Sequence, residues 1–287
     1  MNIRARSNVD LREWWNGALS TLAVAWIGQA GFLLHFGGKR IVIDPYLSDS
    51  LAKKYHGSFF PHDRMMPVPI QPQDVSSVDV VLVTHEHTDH MDGATLSVIA
   101  RVSPHAIFIV PRYSVTEAIN RGVPPERIVA VNYDEKTTFP NGLSVTAFPA
   151  AHEEYISDIA GNSKFLGYLI SCEGVQIFHS GDTVPYAAIE ERFSQVGPID
   201  LALFPVNGRD DERRKHGIPG NMTIHEVLHY HQRFFFRSTI VHHFGMFRFN
   251  SPQLGELEKA IRYFEENLSM NSDFSVIIPA VGTVYER

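Results

Sequence analysis

The sequence predicts an α/β fold, built as two α/β halves packed into one domain. Three observations carry this. The apolar runs are short, rich in Val, Ile and Phe, and bounded by turn residues, which is the pattern of buried strands. Hairpin signals come early in each half and helix signals are interleaved later. The chain has 287 residues, 44% apolar and 20% charged, which suits a soluble globular protein able to bury a full core without staples.

Two strands, 21–27 and 32–36, flank a turn at Gly28–Gly31. A third covers 40–43. The run 78–84 is a buried strand, and 106–110 follows it after a helix that starts near Gly93. Ser114-Val115-Thr116-Glu117 has the form of a capping box, with Gly122 closing that helix. The second half repeats the plan. Strands at 143–148, 165–170 and 175–179 are joined through turns such as Pro140-Asn141-Gly142 and Cys172-Glu173-Gly174. Strands 201–206, 239–243 and 275–281 alternate with helices near Pro185, at Thr223 and over 252–267. Two long loops remain, 48–73 and 207–221. Loops of that length in a compact domain are often binding lids.

Twenty-five Lys and Arg stand against 32 Asp and Glu, a formal net charge of −7. An acidic surface opposes phosphate attraction, so no nucleic-acid partner is expected. A single cysteine, Cys172, allows no internal disulfide. The stretch 19–36 is apolar but carries Gln29 and His35 and breaks at Gly28 and Gly31. It suits strands better than a membrane span or a signal peptide. The expected setting is the cytoplasm, with no membrane partner. Homo-oligomerisation stays open.

Fifteen histidines stand out, because histidine is the commonest metal ligand. They cluster directly after the run 78–84, in His85-Glu86-His87-Thr88-Asp89-His90. Two histidines two positions apart in extended backbone point the same way. Asp89 and His90, past a turn, can address a second position, so one strand end could feed two adjacent ions. One ion needs about four ligands, so further donors are required. Candidates share a setting just past an apolar run: His152, Asp182 in Ser180-Gly181-Asp182, and either His242 or His243. His225-Glu226-Val227-Leu228-His229 matches the zinc-protease pattern H-E-x-x-H. Thr223 and Glu226 also form a capping box, which explains Glu226 as structural, and the protease is not adopted.

With these residues in hand, the chain resembles the metallo-β-lactamase-fold hydrolases. The resemblance rests on H-x-H-x-D-H at 85–90, His152, Gly181-Asp182 and Ile240-Val241-His242-His243-Phe244-Gly245. It implies a four-layer αβ/βα sandwich with metals at one edge. It also implies that His85, His87 and His152 hold a first ion, that Asp89, His90 and His243 hold a second, and that Asp182 bridges. His243 is preferred to His242 because it precedes the aromatic-Gly pair. Within the fold, the chain is similar to the L-ascorbate-6-phosphate lactonase-like group through Ala25–Phe32, Ile43-Asp44-Pro45, Val78–Thr84 and Asn221-Met222-Thr223.

The expected function is a dinuclear metal-dependent hydrolase that uses a metal-bridging hydroxide on a small anionic lactone, sugar-phosphate-like in character. Imidazole-rich ligation suits Zn²⁺, and Mn²⁺ is the second choice. Two ions, two aspartates and a hydroxide leave about one positive charge, which would draw an anion. Asp89, beside the nucleophile, is the candidate catalytic residue. Arg209 and His216, in the second long loop, and His179, near Asp182, are candidate substrate contacts. A metal-dependent phosphodiesterase and a non-catalytic metal-binding scaffold are the alternatives. A nuclease is disfavoured by the charge, and a di-iron oxygen-reducing relative by His87 standing where it needs a Glu.

Overall fold

The computed structural model describes residues 3–267 and 274–287. Strands β1 (Arg4–Arg6), β2 (Leu22–Trp26), β3 (Phe32–Phe36), β4 (Lys39–Ile43), β5 (Val80–Leu82), β6 (Ile107–Pro111) and β7 (Ile128–Val131) fall in the first half. The second half holds β8 (Lys136–Thr138), β9 (Ser144–Pro149), β10 (Leu166–Cys172), β11 (Val175–His179), β12 (Leu201–Pro205), β13 (Ser238–His242), β14 (Ser275–Ile277) and β15 (Val284–Glu286). The last of these crosses back to the first sheet. One sheet runs β1-β15-β2-β3-β4-β5-β6-β7 and the other β14-β13-β12-β11-β10-β9-β8. Each is antiparallel at one end and parallel at the other, the change falling at β4 in the first and at β11 in the second.

Alternation along the strands sets the layers. Leu22, Val24 and Trp26 of β2 join Leu34 and Phe36 of β3 and Tyr168 and Ile170 of β10 in one core between the sheets. Tyr168 crosses that core, its hydroxyl donating to the Val83 carbonyl at 2.7 Å. Ala23, Ala25 and Ile27 face the other way, onto a separate core. That core is filled by Trp14 and Trp15 of α1 (Leu11–Asn16) and by Leu96 and Ile99 of α3 (Gly93–Val102). Helices α5 (Ala187–Gln195) and α7 (Ile224–Arg233) place Phe193 and Tyr230 against Phe204 of β12. The result is the four-layer αβ/βα sandwich. The turn at 172–175 closes a two-residue hairpin, Cys172 opposite Val175, with Glu173 and Gly174 both at positive φ, as the strand twist requires.

Several local expectations are corrected. The strand expected over 78–84 is ordered as β5 only over Val80–Leu82, and that expected over 275–281 only over Ser275–Ile277. Ser114 makes no side-chain cap, because a 3₁₀ turn at Arg112–Ser114 already precedes α4 (Val115–Asn120). The Thr223 capping box on α7 is present, both hydrogen bonds formed. The long loops each carry a short helix, α2 (Ser50–Lys54) and α6 (Asp211–Lys215). Strands β1, β7, β8 and β15 and helix α1 were not foreseen.

Candidate metal centre

Four strands deliver the donors, each within three residues of its end: β5 leads to His85, β9 to His152, β11 to Asp182 and β13 to His243. All four ends reach one edge shared by the two sheets. The backbone is bent hard to aim them. Gly181 lies at φ +61, and a Cβ there would stand 2.5 Å from the Leu166 carbonyl oxygen and 3.0 Å from Thr84 Cβ, so only glycine fits before Asp182. His243 itself takes φ +63, a left-handed conformation costing about 1–3 kcal/mol in a non-glycine residue. Its N–H donates to the Gln29 carbonyl at 2.9 Å and holds the bend.

The structure brings seven of the expected residues together. Donor atoms of His85, His87 and His152 lie within 4.8 Å of one another; so do those of Asp89, His90 and His243, and those of His85, His90 and Asp182. Asp182 Oδ2 is central, 3.1 Å from His243 Nε2, 3.4 Å from His90 Nε2 and 3.5 Å from His152 Nε2. Asp89 Oδ2 lies 3.6 Å from His243 Nε2 and 3.8 Å from His90 Nε2.

The surrounding hydrogen bonds fix which nitrogens are free. Asp44 Oδ2 accepts from the Thr84 hydroxyl at 2.6 Å and from His90 Nδ1 at 2.7 Å, and its Oδ1 accepts from Thr84 N at 2.8 Å. With its proton given to Asp44, Thr84 Oγ1 can only accept from His85 Nδ1, at 3.0 Å. His152 Nδ1 donates to the Gly220 carbonyl at 2.9 Å. These bonds leave Nε2 of His85, His90 and His152 facing the cluster. His85 Nε2, His90 Nε2 and Asp182 Oδ1 are buried with no hydrogen-bond partner among the described residues. Orphaned buried polar atoms are costly, and a cation that displaces the His90 proton would satisfy all of them, so the residues present fit a metal.

Electrostatics point the same way. Burial, then the neighbouring His90 and His87, hold His85 well below its usual range. Burial and His152 bring His87 down to about 3. Burial opposes charge on Asp182, but His243 and His90 outweigh it and keep the carboxyl well below its usual range. His90 is the exception: burial disfavours its charge, yet Asp182, Asp44 and Asp89 together raise it well above 6.5.

Gln29 and Asp44 were missed as site residues. Gln29 Nε2 donates to Asp89 Oδ2 at 2.8 Å, and Asp44 organises both His85 and His90. Their signal lay in Ala25–Phe32 and Ile43-Asp44-Pro45, two polar breaks in apolar strand sequence.

Other expected residues lie elsewhere. His242 is fully buried, stacked on His179 at 4.8 Å and packed edge-on to Phe32; His243 alone of the pair reaches the cluster. His179 is no substrate contact. It is fully buried, its Nε2 donates to the Ala30 carbonyl at 3.0 Å, and its Nδ1 accepts from Gly181 N. Arg209 lines a cavity beside the cluster, but both its terminal nitrogens are engaged by Glu226, at 2.6 and 2.8 Å. His216 stacks on Phe59 at 4.7 Å and lies 3.4 Å from Glu212. Arg209 is thus committed to a carboxylate, and His216 is not among the residues lining either cavity beside the cluster. His225 and His229 are exposed on α7 and join none of the three donor groups found among the described residues.

A cavity of about 360 Å³ opens on Asp89, Asp182 and His243, roofed by Lys54, Tyr55 and His62 of the first long loop and by Phe247. Among the described residues no helix is long and apolar enough to cross a membrane.

Comparison with known proteins agrees with this architecture. A UPF0173 metal-dependent hydrolase of Pyrococcus horikoshii is 31% identical over 186 residues, 64% of this chain and 72% of its own length. The Thermococcus kodakarensis counterpart is 32% identical over the same shares. Among solved structures, an isothiocyanate hydrolase from Delia radicum gut bacteria has a TM-score of 0.71 at 21% identity, covering 91% of this chain and 97% of that one. A metallo hydrolase of Ignicoccus hospitalis scores 0.65 at 19% identity, covering 93% and 98%. The di-iron β-hydroxylase CmlA of Streptomyces venezuelae scores 0.66 at 16% identity, covering 94% of this chain and 55% of its own. At these identities the likeness is one of fold. The model of the β-lactamase superfamily domain matches residues 39–244, a span that holds every donor of the cluster and well over half of the sequence, and the chain belongs to that superfamily.

Proposed function

We propose that this superfamily member, a metal-dependent hydrolase, holds two divalent ions and opens a small anionic lactone. The observation that carries the reading is the pair of donor triads, His85–His87–His152 and Asp89–His90–His243, with Asp182 Oδ2 between them and buried Nε2 atoms left unpaired. Zn²⁺ suits five imidazoles, with Mn²⁺ second. When bound, such ions supply hydroxide at neutral pH and polarise a carbonyl oxygen.

The chain's own residues do the rest. Asp89 Oδ2 lies at the cavity wall, oriented by Gln29 Nε2 at 2.8 Å. From there it can take a proton from water and return it to the leaving alkoxide. Lys54 lines the same cavity. Its ammonium has no carboxylate partner within 4.0 Å among the described residues and lies over the Tyr55 ring, so it is available to an anionic group. The lactonase reading draws support from where its sequence likeness falls: Gln29, Asp44 and Asn221 all stand around the donors, Asn221 beside the Gly220 carbonyl that holds His152.

Metal analysis of purified protein, followed by assays on a simple lactone and on bis-p-nitrophenyl phosphate with Zn²⁺ and Mn²⁺, tests the reading. Two ions per chain and lactone turnover are expected. His87→Ala should lose metal and turnover together. Cleavage of the phosphodiester alone would replace the lactonase with a phosphodiesterase, and two bound ions with no turnover of any ester would leave a scaffold.

A further inference from the structure

A second cavity, of about 580 Å³, adjoins the cluster on the side of His87 and His152. It meets the first cavity at Gly217 and Pro219, which line both. We propose that this second cavity is a subsite for a neutral, apolar substituent of the substrate, with Ile156, Phe165 and Val184 as its contact residues. The proposal rests on the hydrolase reading for the chemistry at the metal centre and adds the class of group that lies beside it.

Charge is the first argument. Three cations line this cavity, and each is already neutralised. Lys164 lies 3.2 Å from Glu86, Arg209 2.6 Å from Glu226 and Arg214 2.8 Å from Glu153. The ionic side chain left over is an acid, Glu154, which has no cation within 4.0 Å among the described residues. An anion gains nothing here, in contrast to the first cavity with Lys54. Neutral matter can be accepted without breaking an ion pair.

Shape is the second argument. Phe165 and Val184 are buried in the wall. The loop 153–164 contributes Glu153, Glu154, Ile156 and Lys164 to the lining, and of these Ile156 is an apolar side chain exposed to solvent. The loop is internally braced. Lys164 N donates to the Ile156 carbonyl at 2.9 Å, Ser157 pairs with Ser163, and Asp158 Oδ1 accepts from Ala160 N and Asn162 N. A braced loop that holds the apolar Ile156 side chain in water at the cavity wall loses that exposure when an apolar group seats against it. Continuity with His87 and His152 places the seated group next to the reacting centre.

Titration calorimetry of the metal-loaded protein with γ-hydroxybutanoate, γ-hydroxyhexanoate, γ-hydroxyoctanoate and γ-hydroxydecanoate reads the subsite without turnover. Affinity should rise about two- to fourfold per added methylene, the upper figure being that of full burial. Ile156→Asp, at an exposed position that the fold does not depend on, should flatten the series. Val184→Phe should shorten it, with the decanoate losing about tenfold relative to wild type. No binding of any member, a flat wild-type series, a slope that survives both variants, or a slope abolished instead by Tyr55→Ala in the first cavity would each overturn the proposal. A steep series without lactone cleavage would end the lactonase reading and keep the subsite. Cleavage with no chain-length dependence would do the reverse.

Discussion

Replacing Asp44 by Asn tests how the buried hydrogen bonds ready the histidines. The change keeps volume, and asparagine tolerates the φ of +42 found here, so backbone strain does not confound it. Oδ1 can still accept from Thr84 N. The new amide Nδ2, however, meets two donors, the Thr84 hydroxyl at 2.6 Å and His90 Nδ1 at 2.7 Å. Thr84 must turn its proton away, and the direction left to it is toward His85 Nδ1, 3.0 Å off. Both histidines are then driven to carry the neutral-state proton on Nε2, the atom that faces the cluster. A charge-assisted hydrogen bond worth roughly 1.5–3 kcal/mol is lost. One effect opposes this. Asp44 helps to keep His90 protonated in the metal-free protein, so its loss also removes a competing proton. The metal should still lose more, because a divalent ion carries twice the proton's charge. Zinc affinity, measured by competition with a chelator, should fall about 10- to 100-fold, with the far-ultraviolet circular dichroism unchanged. An affinity within twofold of wild type would refute the hydrogen-bond argument.

Metal binding should release a proton. His90 sits above its usual pKa and so holds its proton at pH 6, whereas His85 and His87 sit below theirs and hold none. Calorimetry at pH 6 in buffers of different ionisation enthalpy should show net proton release, and apparent affinity should climb with pH until the His90 pKa is passed; zero release would contradict the assignment. Gln29→Ala removes the 2.8 Å bond to Asp89 without adding strain, since both residues are non-glycine at a positive φ. Turnover should drop about tenfold while metal content, read by mass spectrometry, stays at two ions. Arg213→Met severs a buried guanidinium from Asp210, the Asn207 carbonyl and Asn250 Oδ1. Urea unfolding of the metal-free protein should show a loss of roughly 2–3 kcal/mol, and a loss under about 0.5 kcal/mol would show that these contacts hold nothing.

The long buried strands and the metal cluster were legible because their causes are local. The run 32–36 is apolar but for His35, and 175–179 carries Val175, Ile177 and Phe178; both form strands over those same residues. The donors past β5, β11 and β13 stood out because an ionisable residue at the end of an apolar run has little structural reason to be there. What was not legible depends on distant partners. Strand β1 reads Arg-Ala-Arg and is exposed throughout; it is a strand because β15, nearly the whole chain away, pairs with it. Arg209 looked like an anion contact because its guanidinium was visible in sequence and its engagement by Glu226 was not. Gln29 and Asp44 were overlooked because each acts through a left-handed bend, φ +51 and φ +42, that residue type does not announce.

Those bends explain why the cluster sits where it does. Both sheets change from antiparallel to parallel pairing, and the C-terminal ends of β5, β9, β11 and β13 emerge at the edge the two sheets share. Strand ends are where side chains can leave the layered core without unpairing a ladder. Emergence alone would spread the donors along that edge. Gln29, Asp44 and His243 draw them inward, each at a positive φ costing about 1–3 kcal/mol. The first and last are locked to each other by the His243 N–H to Gln29 carbonyl bond at 2.9 Å. Strain of this kind, joined to buried nitrogens that no group among the described residues satisfies, makes no sense for stability alone. It does make sense if a cation completes the cluster, because one ion can satisfy several orphaned atoms at once and can repay the bends that brought them together.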